Sequence, residues 1–235
     1  MSEDAERTSV RQKIISWQGL VIGVIILLLI GVTAFVIFQP IKVLQRMYLA
    51  PGYALTDQNG DRLTNEDMRG HFVMYNFTYS GCREPECQQL DLVMKELQDR
   101  LDEAETADTP VSFVTISFDP EHDTPDVLRA YAEELGADTS QWSFVTGDPT
   151  RLKYIIGSGF SVYYDQKEDG SWQFSPTMVL VDGWGIVRAI YNARQRPINV
   201  DNMIEHLTGL QEEVAASDGV GKLGYEAAHL FLCYY

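Results

Sequence analysis

Three hydrophobic patterns follow one another along the chain. The first is a continuous apolar run: Trp17 to Phe38 carries no charge and, among polar side chains, only Gln18 and Thr33. Gly19 to Phe38 alone is 20 residues, and a helix rising ~1.5 Å per residue then matches the ~30 Å hydrocarbon core of a bilayer. The run predicts a transmembrane helix. A cleaved signal peptide is the competing reading, but the run exceeds the usual ~7–15-residue apolar core and no small-x-small cleavage site or lipid-accepting cysteine follows it.

The second pattern alternates short β-branched and aromatic runs with helical stripes. Phe72 to Thr78, Val111 to Phe118 and Trp142 to Val145 predict buried strands. Between them, Leu90, Val93, Met94, Leu97 and Leu101 recur at a helical period. So do Val127, Leu128, Tyr131, Ala132 and Leu135, in a helix capped by Asp123-Thr124-Pro125 and ending near Gly136. A further short helix opens at Asp148-Pro149-Thr150 and runs to about Ile156. Alternation of this kind predicts right-handed crossovers and a largely parallel core.

The third pattern is more broken. Phe160 to Asp165 and Thr177 to Val181 predict strands separated by a polar QKEDGSWQFSP stretch, and Asp182-Gly183-Trp184-Gly185 turns into Ile186 to Tyr191 as a hairpin. A last helix, Ile198 to about Leu210, turns Met203, Ile204, Leu207 and Leu210 inward. Upstream, ALTDQNGDRLT (54–64) predicts a hairpin turning at Asn59-Gly60. The chain thus divides into an N-terminal segment (1–16), the apolar helix (17–38), a juxtamembrane linker (39–51), a folded domain (52–213) and a weakly ordered tail (214–235), whose apolar end AAHLFLCYY is too short to span a membrane.

Charge narrows the partners. Of the net −16, residues 1–50 contribute +2, from five Lys and Arg against three Asp and Glu, which leaves −18 on residues 51–235. Phosphate binding needs a basic face, so nucleic acid is excluded as a partner. The three cysteines, Cys82, Cys87 and Cys233, are too few for a disulfide-stapled scaffold. Cys233 reads as incidental.

Cys82 and Cys87 carry the candidate chemistry. Ser80-Gly81 ends the Phe72 to Thr78 strand, and Pro85 suits the first position of a helix, so Cys82 falls on the loop and Cys87 in the first helical turn. Helix dipoles and free N–H groups there favour thiolate over thiol, the species that attacks disulfides and binds soft metals such as Cu(I). Two plainer readings stand beside this: two small residues packed in a core, or a closed structural disulfide. Arg83, Glu84 and Glu86 make the loop charged and accessible, which favours reversible chemistry.

The order of elements, with a cysteine pair at the first strand-to-helix turn, resembles the thioredoxin superfamily and within it the Sco/SenC family of membrane-anchored cytochrome c oxidase assembly factors. The likeness is carried by NFTYSGC (76–82), SFDPEHDTPDVLRAYAEELG (117–136), WSFVTGDPTRLK (142–153), GFSVYY (159–164) and SPTMVLVDGWG (175–185). It implies an α/β thioredoxin-like fold, a central mixed sheet flanked by helices, preceded by one transmembrane helix. Members of the family bind copper through two cysteines and a distant histidine, and deliver copper to, or reduce cysteines in, the oxidase copper site. This chain departs twice: its pair is Cys-x4-Cys rather than Cys-x3-Cys, and Phe174 stands where the family's histidine belongs, eight residues before Asp182. Among the four histidines, His122 is a neighbour of the site that faces solvent, His71 lies at the far edge, and His206 and His229 sit on the last helix and the tail. Met178 points into the core.

The resemblance also puts Pro176 where redox-active thioredoxin-like proteins carry a cis-proline facing the cysteines; a strand-edge proline is the alternative. The implied catalytic set is Cys82, Cys87 and Pro176, with Cys82 attacking a partner disulfide and Cys87 resolving it. The same two cysteines are the conditional copper ligands, for Cu(I) rather than Cu(II). The implied partner is the oxidase subunit that carries the copper site. A redox-active pair belongs outside the reducing cytosol, so the domain is expected on the periplasmic side of a single-pass inner-membrane anchor. A Cu(I) metallochaperone and a non-catalytic accessory of a respiratory complex remain the alternatives.

Overall fold

The computed structural model describes residues 17–33, 43–106, 109–216 and 233–234. Helix α1 covers 17–33 and is exposed along its length. Residues 34–38 of the expected span lie outside the described residues, and among the described residues no helix is long and apolar enough to cross a membrane.

From Val43 onward the elements are β1 (Val43–Leu44), β2 (Ala54–Asp57), β3 (Arg62–Thr64), β4 (Phe72–Thr78), α2 (Pro85–Asp99), β5 (Val111–Ser117), α3 (Pro125–Leu135), β6 (Trp142–Thr146) and α4 (Pro149–Leu152). A π-helical turn, Lys153–Gly159, then leads to β7 (Tyr164–Gln166), β8 (Trp172–Phe174), β9 (Thr177–Val181), β10 (Val187–Asn192), α5 (Val200–Ala215) and β11 (Cys233–Tyr234). Seven strands form one mixed sheet in the order β10-β9-β4-β5-β6-β2-β3. β4, β5 and β6 are parallel, while β9, β10, β2 and β3 join antiparallel. The parallel centre and the α/β class are as the alternation predicts.

All seven residues of β4 are buried because the strand is covered on both faces. Its alternation sorts side chains rather than exposing every second one. Phe72 and Met74 join Phe113, Trp142, Phe144, Met178 and Leu180 in a cluster covered by α2, α3 and α5. Val73, Tyr75 and Phe77 join Val114, Ile116, Val145, Val179 and Val181 in a second cluster on the other face, with Leu152, Ile155, Ile156 and Phe160. Met178 is core, as expected.

The β2–β3 hairpin turns at Asn59-Gly60, with Gly60 at φ +85°, and the β9–β10 hairpin forms through Asp182–Gly185. Three expectations need correction. Phe160 to Tyr163 is not a strand; only Tyr164–Gln166 is, and it pairs with β8 inside the stretch read as polar linker. Turn residues Asp169 and Gly170, the latter at φ +82°, make that stretch polar, and Phe174 is buried at its end. The last helix runs on to Ala215. Asp123 does not cap α3: Thr124 is the N-cap, without a side-chain bond.

Residues 43–50, expected as part of a connector, are strapped along the β10 edge. Met47 N–H donates to Val187 O (3.0 Å), Val187 N–H to Tyr48 O (2.8 Å) and Ala50 N–H to Gly185 O (2.8 Å). Arg188, fully buried, donates to the carbonyls of Leu44 (2.8 Å) and Gln45 (3.0 Å) and pairs with Asp182 (3.0 Å) and Glu213 (2.6 Å). Of the expected tail, 214–216 belong to α5 or its cap, Cys233–Tyr234 pairs parallel with Val43–Leu44, and 217–232 lie outside the described residues.

Candidate functional site

The central strand delivers the site. β4 ends at Thr78, Tyr79 O accepts from Cys82 N–H (3.1 Å) to close a tight turn, and Pro85 starts α2 at its first position after the N-cap Glu84. Cys87 N–H donates to Glu84 O (3.1 Å), which places Cys87 in the first turn, as its spacing from Pro85 predicts. Cys82 and Cys87 form a disulfide with a Cα–Cα separation of 6.2 Å. The Arg83 guanidinium reaches back to the carbonyls of Ser80 (3.3 Å) and Cys82 (3.4 Å), adding positive charge at the helix mouth.

Exposure departs from expectation in one respect. Gly81, Arg83, Glu84 and Pro85 are exposed, as the loop's polarity implies, yet Cys82 is only 6% and Cys87 1% exposed. The cysteines are the apolar residues of an otherwise polar loop, so they turn down onto the second core cluster. Cys82 is the less covered of the two.

A buried carboxylate pins this loop. Asp123, fully buried, accepts from Ser80 N–H (3.0 Å), from the Ser80 hydroxyl and from the Ser117 hydroxyl. Ser80 precedes Cys82 by two residues and Ser117 ends β5, so one side chain ties the cysteine loop to the next strand end. Three donors converge on this buried carboxylate, which explains why Asp123 turns away from the α3 N-terminus. Beside it, Asp119 N–H donates to Ser117 Oγ (3.1 Å), and the Asp119 carboxylate holds exposed His122 at 2.9 Å and raises its pKa.

Aromatic rings form the neighbouring wall. Phe118 lies 5.4 Å from Tyr79, 5.0 Å from Tyr164, 5.3 Å from Trp172 and 5.4 Å from Phe174, centroid to centroid. Phe174, Phe118 and Tyr164 share the apolar cluster that holds both cysteines, with Tyr79 and Trp172 packed against it. Pro176 is buried next to β9, its carbonyl accepting from Ala193 N–H (3.0 Å), and among the described residues no peptide bond is cis. His71 bonds Ser112 Oγ (2.7 Å) at the opposite end of β4, and His206 bonds Tyr191 (2.6 Å) under α5.

The sequence pattern described as SCO1/SenC matches residues 42–214, most of the chain and all of the sheet just described. The chain belongs to the SCO1/SenC family. It is 28% identical over 130 residues to the SCO1 protein homolog of Bacillus subtilis, covering 55% of this chain and 63% of that relative. With the SCO2-like protein of Rickettsia bellii it shares 27% over 117 residues, 49% of this chain and 53% of the relative. The chain thus spans about three-fifths or less of the curated relatives it matches. In fold it is similar to a SCO1/SenC family lipoprotein of Bacillus anthracis (TM-score 0.63, 24% identity, 70% of this chain and 96% of that one). It is also similar to copper-bound ScoI of Arabidopsis thaliana (TM-score 0.58, 24% identity, 71% and 98%).

The donor set at the site is narrow. Among the described residues no group of three His, Cys, Asp or Glu side chains is placed to hold a metal. Once reduced, Cys82 and Cys87 supply two soft sulfurs, which fit two-coordinate Cu(I), while the Phe174 ring offers no third donor. Asp123, Ser80 and Ser117 were not legible as site residues: nothing in a DTP helix start signals that its Asp reaches a neighbouring loop. Asp91, one turn beyond Cys87 on α2, was also missed. It is 7% exposed, accepts from Tyr131 Oη (2.6 Å), and burial pushes its pKa up to about 6.

Proposed function

We propose that this chain is a membrane-anchored assembly factor for a respiratory cytochrome c oxidase and acts on the cysteines of the oxidase copper site by thiol-disulfide exchange. The observation that carries the reading is the Cys82–Cys87 disulfide at the mouth of α2, beside a phenylalanine where the family's pattern has a histidine. Family membership supports the assembly role, since a structural relative, BsSco, is described as a member of the Sco family of cytochrome c oxidase assembly proteins.

In the reduced chain, the Cys82 thiolate attacks one sulfur of a client disulfide, and the other client sulfur leaves as thiolate and takes up a proton. Cys87, deprotonated in turn, attacks the Cys82 sulfur and releases the second client thiol. Two electrons and two protons pass to the client, and the Cys82–Cys87 bond forms. An external dithiol reductant then resets the pair. Arg83 and the α2 N-terminus favour both thiolates, and Asp123 holds the loop that bears Cys82. Pro176, which the resemblance implies faces the cysteines, is buried just before β9 with a trans peptide bond.

Residues 17–38 anchor the protein in the inner membrane, with residues 43–216 on the periplasmic side, where a disulfide persists. A second reading, Cu(I) delivery through Cys82 and Cys87, is favoured by the pairing of two sulfurs at a helix N-terminus and by relatives that bind copper. Anaerobic Cu(I) titration and thiol-disulfide equilibration of the full chain in detergent, with and without Cys82→Ser, separate the two. Exchange predicts a defined two-electron potential and weak copper uptake; stoichiometric Cu(I) binding abolished by the substitution selects delivery instead.

A further inference from the structure

The described residues from Val43 to Ala216 carry eight exposed large apolar side chains: Leu92, Val127, Tyr154 and Tyr163 scattered over other elements, and Met47, Leu49, Trp184 and Ile190 together on the strap and β10 edge. Met47 and Leu49 stand on the same face of the strap, two residues apart, 45% and 66% exposed, and Trp184 is 51% exposed in the adjoining turn. The four share one edge of the domain. Leu49 bridges Ile186, Arg69 donates from Nη1 to Trp184 O, and a Cβ placed on Gly185 would meet both Arg69 Nη1 (3.4 Å) and Leu49 Cδ1 (3.8 Å). Met47 and Ile190 line one cleft.

We infer that this edge of the domain rests on the bilayer surface, with Met47, Leu49, Trp184 and Ile190 in the interface and Arg69 at headgroup level. The inference rests on reading 17–38 as a membrane anchor. From Phe38 to Val43 only four residues intervene, and the five extended steps they make, at ~3.3–3.6 Å each, reach no more than ~18 Å. Val43 is fixed to the domain through the strap, because buried Arg188 holds the Leu44 and Gln45 carbonyls. The edge bearing β10 therefore lies near the bilayer, and the β3 edge, six strand spacings of ~4.8 Å away, points outward.

Charge does not oppose this side: residues 51–235 carry −18 in all, but at this edge Arg69 is paired with Glu66 and Arg46 with Glu213. A tryptophan among aliphatic residues, flanked by arginines, suits the headgroup boundary. The cysteines are clear of it: β4 is the third strand from the β10 edge, and Cys82 lies beyond its C-terminal end, whereas the Trp184 turn lies at its N-terminal end, where Gly70 N–H donates to Gly183 O (3.0 Å).

Fluorine NMR of the full chain labelled with fluorotryptophan tests this, in nanodiscs of phosphatidylcholine with one-quarter phosphatidylglycerol, with and without doxyl-labelled lipid. The chain has four tryptophans, Trp17, Trp142, Trp172 and Trp184, and Trp184→Phe assigns its resonance. The expected result is severalfold broadening of Trp17 and Trp184 by the doxyl lipid, unchanged Trp142 and Trp172, and a Trp184 line that sharpens again in Leu49→Asp. If Trp17 broadens while Trp184 keeps the width of Trp172, the docking is overturned and the anchor stands. If Trp17 is not broadened either, the anchor reading fails and the docking with it.

Discussion

Replacing Asp91 by Asn should make the protein more stable at neutral pH, and the size of the gain follows from where the carboxylate sits. Asp91 lies under α2 with one oxygen accepting from Tyr131 Oη at 2.6 Å and the other, Oδ1, without a partner. Burial penalises the charged form, the Tyr131 bond only partly offsets it, and the pKa rises from 3.8 to about 6. Between those two pH values the folded chain binds more protons than the unfolded one, so this group's contribution to stability is greatest below pH 4 and declines as pH rises through 6. At about 1.36 kcal/mol per pH unit, the displacement corresponds to about 3 kcal/mol. Asparagine keeps an acceptor for Tyr131 and carries no charge at any pH. Chemical denaturation of the full chain in mild detergent, run for parent and Asp91→Asn from pH 4 to pH 8, should show the variant ahead by about 3 kcal/mol at pH 8 and level near pH 4. A pH-independent difference, or a variant less stable at pH 8, would refute the reasoning.

Three further outcomes bear on the site and its support. Asp123→Ala removes the acceptor of three bonds from Ser80 and Ser117, and should lower stability by about 3–5 kcal/mol while speeding reduction of Cys82–Cys87 by a small dithiol, both read on one sample. Arg188→Met leaves Asp182 and Glu213 without their buried cation, which should cost about 3–5 kcal/mol and open 43–51 to limited proteolysis. Phe174→His introduces a nitrogen donor into the apolar cluster that holds the two sulfurs, so the reduced variant should bind Cu(II) about tenfold tighter or more than the parent, followed by its thiolate charge-transfer absorption.

The framework of the domain was open to reading because its strands are covered on both faces. Phe72 to Thr78 and Val111 to Ser117 show as runs rich in β-branched and aromatic residues, and α2 and α3 show stripes at helical spacing. The Cys82–Cys87 pair was legible for a similar local reason: Ser80-Gly81 and Pro85 fix a turn and a helix start within a few residues of it. What lay hidden were contacts between segments distant in sequence. Asp123 resembles a helix cap because its partners, Ser80 and Ser117, approach only once β4 and β5 pair. Trp172 to Phe174 is too short to announce a strand, and its partner Tyr164 to Gln166 shares a polar turn with it. The strap at 43–50 reads as a linker, and its backbone bonds to Gly185 and Val187 together with the buried Arg188 tie it to the domain. The charged loop implied accessible sulfurs, whereas both cysteines are buried in the second core cluster.

The most direct measurement presents the reduced chain with an oxidase copper-site fragment whose two cysteines are oxidised to a disulfide. The account predicts that the parent releases both client thiols and ends with Cys82 bonded to Cys87. Cys87→Ser should instead stall as a covalent adduct through Cys82, and Cys82→Ser should form none. No thiol release and no adduct from the oxidised fragment, with Cu(I) passing from the same two sulfurs to a fragment reduced beforehand, would contradict it.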